Sequence, residues 1–151
     1  MSQPIHFFTV NDFSKEELMQ ILDLAEDVKK KPAYYSQALK GKTMAMIFQK
    51  TSTRTRLSFE IGMQQLGGYA SYIDWRTTNL VLGNLADEMA CIGRYVDLIM
   101  ARVYNHEDLF TMAKAAKKPV INGLSDYLHP CQILADYQTI FEKLGKKKDF
   151  Q

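Results

Sequence analysis

Along the chain, short apolar runs alternate with longer stretches whose apolar residues recur every three or four positions. The first periodic stretch opens at Ser14-Lys15-Glu16-Glu17, a capping box with Ser14 as N-cap and Glu17 three residues on. Leu18, Ile21, Leu22, Ala25 and Val28 follow at helical spacing and give one apolar face, which Pro32 ends. Residues 33–41 read as a connector with room for a short helical turn. Thr43-Met44-Ala45-Met46-Ile47-Phe48-Gln49 is short and apolar, the pattern of a buried parallel strand. Residues 57–66 return to helical spacing and close at Gly67-Gly68. Further strands are predicted over 69–73, 97–101 and 119–123. Further helices are predicted over 85–95, 106–117 and 130–144, the last with Pro130 in its first turn. Residues 74–83 are polar and loop-like, with Trp75, Arg76, Thr77, Thr78 and Asn79 exposed or binding something. Strands alternating with helices predict an α/β fold: a parallel four-stranded sheet with helices on both faces, as one domain over 1–151.

Composition narrows the function classes. A chain of 151 residues suits one domain with its own core. A net charge of +2, with no basic, aromatic-laced stripe, makes no case for nucleic acid or a membrane surface. Lys29-Lys30-Lys31 and Lys146-Lys147-Lys148 fall at predicted helix ends, where cations suit the dipole and solvent. No run approaches the length of a membrane span, and the N-terminus lacks the apolar core of a signal peptide. Cys91 and Cys131 belong to no pairing motif, which fits a reducing compartment, so the expected location is cytoplasmic.

The chemistry concentrates where the first strand hands over to a helix. Ser52, Thr53 and Thr55 with Arg54 and Arg56 put three hydroxyls and two guanidiniums at that junction. Unpaired amides and the macrodipole favour an anion there, and arginine adds a fork suited to phosphate or carboxylate. A plain Ser/Thr cap with solvated arginines would explain fewer of these five residues; the better reading is a phosphate site. Gly41-Lys42-Thr43 is not a Walker loop, because Ser36 stands where that pattern needs glycine and the Lys-Thr pair opens a strand.

In such folds ligands gather at the carboxyl ends of the strands. Arg102, after the third strand, and residues 125–132, after the fourth, fall at the same edge. His129 could donate a hydrogen bond to a carbonyl or act as acid or base; it could equally be a helix-start histidine bonded to backbone. Gln132 could bind an amide-like group or sit on the surface. Cys131 lies two residues from His129 beside a proline, which suits a small buried side chain better than a nucleophile. His6, His106 and His129 are scattered, and neither Cys-x-x-Cys nor His-Glu-x-x-His occurs, so no metal is expected. The methionines and Tyr34-Tyr35 read as packing and call for no cofactor.

These motifs carry a family resemblance. Phe48-Gln49-Lys50-Thr51-Ser52-Thr53-Arg54-Thr55-Arg56-Leu57-Ser58-Phe59-Glu60 resembles the carbamoyl-phosphate motif of aspartate and ornithine carbamoyltransferases. Asn122-Gly123-Leu124-Ser125-Asp126 with His129-Pro130-Cys131-Gln132-Ile133-Leu134-Ala135-Asp136 is similar to the family's second motif, in the expected order and spacing. The Phe-x-Lys lead-in and the His-Pro-Cys-Gln form resemble the ornithine branch more than the aspartate branch. The resemblance implies a carbamoyl-phosphate-binding domain, the first half of a family enzyme. It implies that Ser52, Thr53, Arg54 and Thr55 hold the phosphate and that Arg102 reaches phosphate and carbonyl oxygens. His129 would meet the carbonyl oxygen and Gln132 the carbamoyl amine, with Arg54, Arg102 and His129 as the catalytic set. Arg56 would pair with an acid within the fold or at an interface. No metal, cofactor or covalent intermediate is implied.

Three departures temper that likeness. Glutamate is common in the ornithine branch where Gln49 stands, so a loop or subunit contact is expected to differ. Residues 74–83, where the family places a loop reaching a neighbouring subunit's site, do not match its usual Gln-x-Gly pattern, and Arg76 and Asn79 stay unassigned. The family's Ser-Met-Gly and His-Cys-Leu-Pro loops, which belong to a second, amino-acid-binding domain, are not found in these residues. The expectations are therefore the binding half of an ornithine carbamoyltransferase-like enzyme, inactive alone and assembling as a homotrimer. The rivals are a non-catalytic assembly module, or a relative using aspartate, putrescine or a modified ornithine.

Overall fold

A computed structural model describes residues 4–145, which places the Lys146-Lys147-Lys148 run outside the described residues. Helix α1 (Lys15–Lys30) starts at the predicted box: Ser14 Oγ accepts from Glu17 N–H, and the Glu17 carboxylate accepts from Ser14 N–H. A one-turn helix α2 (Pro32–Tyr35) follows, with proline at its start. Strand β1 (Thr43–Phe48), helix α3 (Thr53–Gln65) and strand β2 (Tyr69–Asp74) come next. The remainder is α4 (Leu85–Ile92), β3 (Leu98–Arg102), α5 (Glu107–Ala116), β4 (Val120–Leu124) and α6 (Pro130–Leu144).

All paired strands are parallel, in the order β2-β1-β3-β4. Central strand β1 is buried from Met44 to Phe48 because both of its faces are covered. Alternation then sorts its side chains. Met44, Met46 and Phe48 pack with Met63 and Phe59 of α3, while Ala45 and Ile47 pack with Met89 of α4 and Leu109 and Met112 of α5. The chain steps from β1 outward to β2 and then back across β1 to β3. Right-handed crossovers taken in opposite directions put their helices on opposite faces, as observed. The reversal leaves a crevice between the carboxyl ends of β1 and β3, the position where open α/β sheets bind ligands.

Four local features depart from the sequence reading. Helix α3 begins four residues earlier than the predicted start at 57, at Thr53, because Ser52 caps it and draws the arginine-rich segment into its first turn. Helix α4 stops at Ile92 rather than 95, because Gly93 packs against the Ala116 backbone so closely that a Cβ there would overlap it. Residues 74–83 are folded into 3-10 turns at Trp75–Thr77 and Asn79–Val81; Leu80 is buried and Trp75 packs on the core. Ahead of α1, Phe7 bridges Ile121 in parallel and widens the β4 edge.

Candidate anion-binding site

At the end of β1, Ser52 is extended and serves as the N-cap of α3, its Oγ accepting from Thr55 N–H at 3.3 Å. Ser52 Oγ also donates to Thr55 Oγ1 at 3.0 Å, which fixes the orientation of both hydroxyls. Thr53 and Arg54 fill the next two positions, whose amides have no partner within the helix. Arg54 turns toward the crevice, whereas the Thr53 side chain is exposed and off it. Arg56 turns away too: its Nε donates to Glu60 at 3.0 Å and its guanidinium lies 4.0 Å from the Tyr72 ring centroid. That is the structural role expected of it.

Arg102 approaches from β3. Register shifts between Ala101 and Arg102 against β4, and an irregularity of this kind re-aims the side chain at a strand end. Arg102 Nη1 donates to Thr55 Oγ1 at 3.3 Å, while its Nε is buried without a partner among the described residues. Burial, then the nearby positive charge of Arg54, lowers the Arg102 pKa from its ordinary value. Two guanidiniums held near each other are relieved by an anion between them.

The loop after β4 is hung on Asn122, which is fully buried. Its Nδ2 donates to the carbonyls of Phe8 at 2.9 Å and Leu128 at 3.2 Å, and its Oδ1 accepts from Leu124 N–H at 3.0 Å. That last bond helps to hold Leu124 at φ +148°, a backbone region strained for a residue with a Cβ. Buried Ser125 accepts from the amides of Tyr127 and Leu128 and completes the turn. The chain thereby reaches His129, the N-cap of α6, whose Nδ1 accepts a long bond of 3.4 Å from Gln132 N–H. With Nδ1 accepting, a neutral imidazole carries its proton on Nε2. Burial, then Arg102, lowers the His129 pKa, against an opposing pull from Asp136. Gln132 Nε2 donates to Asp136 at 2.9 Å, which leaves Oε1 as a free acceptor for an N–H group.

Ser52, Arg54, Thr55, Arg102, His129 and Gln132 line one cavity of about 420 Å³, with Ser58, Phe59, Leu124, Cys131 and Ala135. Six of the seven predicted site residues are thus brought together, and Thr53 is not among the lining residues. The wall holds two guanidiniums and no carboxylate. Burial pushes the Cys131 thiol up to about 11, so it stands in the wall as a neutral group. The sequence reading did not single out Ser58 or Ala135 for the site, although helical spacing from Thr55 and Gln132 would have found both. An apolar groove of about 380 Å³ between α1 and α6, lined by Leu18, Leu22, Ile133 and Tyr137, holds none of this chemistry. The other two histidines serve structure: His6 Nδ1 meets Val120 N–H, and His106 Nδ1 lies 2.8 Å from Ser125 Oγ.

Residues 5–142 match the carbamoyl-P binding domain of aspartate/ornithine carbamoyltransferases. The chain belongs to that family. The ornithine carbamoyltransferase of Thermococcus kodakarensis is 54% identical over 140 residues, covering 91% of this chain and 44% of its own length. The anabolic ornithine carbamoyltransferase of Pyrococcus furiosus is 51% identical over 142 residues, 92% of this chain and 45% of its own. Among solved structures, an ornithine carbamoyltransferase from Pyrococcus furiosus superposes with a TM-score of 0.88 at 48% identity, covering 97% of this chain and 48% of that one. The chain therefore spans less than half the length of these carbamoyltransferase relatives. Among the described residues no helix is long and apolar enough to cross a membrane.

Proposed function

We propose that this chain is the carbamoyl-phosphate-binding half of an ornithine carbamoyltransferase, an enzyme that moves the carbamoyl group to the side-chain amine of ornithine. The observation that carries the reading is the single cavity lined by two arginines, capped hydroxyls, a neutral histidine and an amide acceptor. The α3 N-terminus, with Ser52, Thr55, Arg54 and the Thr53 amide, suits the phosphate dianion. Arg102 stands between that end and His129, where it can reach both phosphate and carbonyl oxygen. His129 Nε2–H suits the carbonyl oxygen, and Gln132 Oε1 suits the carbamoyl NH2 group.

In this arrangement the amine nitrogen attacks the carbonyl carbon, and negative charge gathers on the oxygen between Arg102 and His129. Donors already in place stabilise that charge without reorganising. The carbon–oxygen bond to phosphate then breaks, the new carbon–nitrogen bond remains, phosphate leaves and the amine gives up its proton. The relatives' names support ornithine as acceptor; the homotrimer rests on the family resemblance alone, and the cytoplasmic location on the cysteines that belong to no pairing motif. For the 151 residues alone the expectation is binding without turnover.

Calorimetric titration of carbamoyl phosphate, with inorganic phosphate as competitor, tests the reading. Saturable binding that phosphate displaces is expected, weakened in Arg54→Ala by about 1.5–3 kcal/mol, the scale of a charge-assisted hydrogen bond. Unchanged affinity in Arg54→Ala would place the anion elsewhere.

A further inference from the structure

The ends of β1 and β3 are joined by one side chain outside the cavity wall. Gln49 N–H donates to the Arg102 carbonyl at 2.9 Å, which carries the β1–β3 ladder one residue past the sheet. Its side chain then reaches onward: Oε1 accepts from Tyr104 N–H at 2.6 Å, and Nε2 donates to Asp108 Oδ2 at 3.0 Å in the first turn of α5. The partners fix the amide's orientation, since a backbone N–H needs an oxygen and a carboxylate needs the NH2 group. Gln49 therefore grips the backbone on either side of fully buried Val103 and ties it to α5. Among the described residues the Arg102 guanidinium has little of its own to hold it, with one 3.3 Å bond to Thr55 and an unpartnered Nε. Its aim depends on its backbone.

We propose that Gln49 is a positioning residue for Arg102, and that in this chain its neutral amide, where the ornithine branch commonly has glutamate, is matched to the carboxylate that Asp108 sets beside it. The inference rests on the anion-site reading above. Glutamate at this position would keep the shape and the acceptor for Tyr104 N–H but set a second carboxylate against Asp108. Other charged groups around this strut are Lys50, whose Nζ lies 5.1 Å from the Tyr104 ring centroid, Arg102 itself, and Glu107 beside Asp108 on α5. Two carboxylates sharing a site separate or take up a proton, and either response is read at Arg102.

The test compares phosphate affinity by calorimetry at pH 8 and pH 5 for the wild type, Gln49→Glu and the double variant Gln49→Glu/Asp108→Asn. Each affinity is taken as a ratio to wild type at the same pH, which cancels the ligand's own titration. Gln49→Glu is expected to bind roughly tenfold more weakly at pH 8, the scale of one displaced charge-assisted contact. The gap should close toward pH 5, as the carboxylate pair takes up a proton. The double variant exchanges donor and acceptor at unchanged net charge and should restore binding at both pH values. Wild-type affinity in Gln49→Glu at pH 8, or a double variant that stays weak, would overturn the proposal. A wild type that binds no phosphate would sink the anion site instead, and the strut would then be read from hydrogen exchange of the Tyr104 amide. Faster exchange in Gln49→Glu, slowed again in the double variant, supports the strut; unchanged exchange overturns it.

Discussion

Arg102 shows how function and stability pull apart at the scale of one residue. Its Nε is buried without a partner among the described residues, and Arg54 stands close by with the same charge. Removing such a cation costs the fold little, because the desolvation of an incompletely paired charge is relieved along with its contacts. Arg102→Met should leave stability unchanged or raise it by about 1 kcal/mol in a denaturant melt, while phosphate binding is lost in calorimetry. A variant destabilised by more than about 2 kcal/mol would make Arg102 a structural residue first. His129 gives a pH signature. Its folded pKa lies below the ordinary imidazole value of about 6.5, chiefly through burial and then through Arg102. The unfolded chain therefore takes up this proton first as pH falls. The His129 contribution to stability is complete above about 6.5, and is lost as pH drops toward and through the folded value. An NMR titration should find the depressed value in the free protein and a rise when phosphate binds, since the anion favours the imidazolium. A His129 that titrates at the ordinary value and ignores phosphate would remove it from the site. The sequence placed both residues at the correct strand and loop ends. What it did not show is direction: Thr53 and Arg54 are adjacent in the motif, yet successive helical positions face different ways, and one side chain lines the cavity while the other does not.

Among elements, the helices were legible where a local signal sets their ends and illegible where a distant contact does. The Ser14–Glu17 box and Pro130 are local, and α1 and α6 begin where those residues dictate. Helix α4 is the counter-example. Its apolar period runs smoothly toward Tyr95, but the helix ends at Ile92, because Gly93 abuts the backbone at Ala116, the last residue of α5. No residue near position 93 announces a partner 23 positions away. The energetic consequence is direct. Gly93→Ala places a methyl group into backbone that cannot yield as a side chain would, so α4 and α5 must part locally. A loss of about 1–3 kcal/mol is expected for overpacking of this kind, read from denaturant midpoints at constant m-value. Unaltered stability would show that the two helices slide apart freely. The start of α3 is an exception, since a local cap sets it and the apolar spacing concealed it. Apolar spacing marks it from Leu57, while the hydroxyl of Ser52 starts it earlier and so brings Arg54 into the first turn, where the amides lack partners within the helix.

For the whole molecule, alternating strands and helices imply a parallel sheet, and a parallel sheet puts the loops after every strand on one edge. That much of the site followed from the pattern alone. Strand order did not, because alternation is equally compatible with several orders. The observed order sets β1 beside β3, and it is this adjacency that brings Arg102 to Thr55. The anion site is thus a property of the folded chain and has no counterpart in the unfolded one, so a ligand bound there must stabilise the fold by mass action. Phosphate at about a hundred times its dissociation constant should add about 2.7 kcal/mol and raise the melting temperature by several degrees. Arg54→Ala should erase most of that rise at the same phosphate concentration. Ornithine added on top should contribute nothing further, because the cavity wall offers its ammonium groups two guanidiniums and no carboxylate. A second rise in melting temperature with ornithine, saturable and dependent on phosphate, would place an amine site on this chain as well, and would mean that the wall described here is one side of a larger site that these residues complete by themselves.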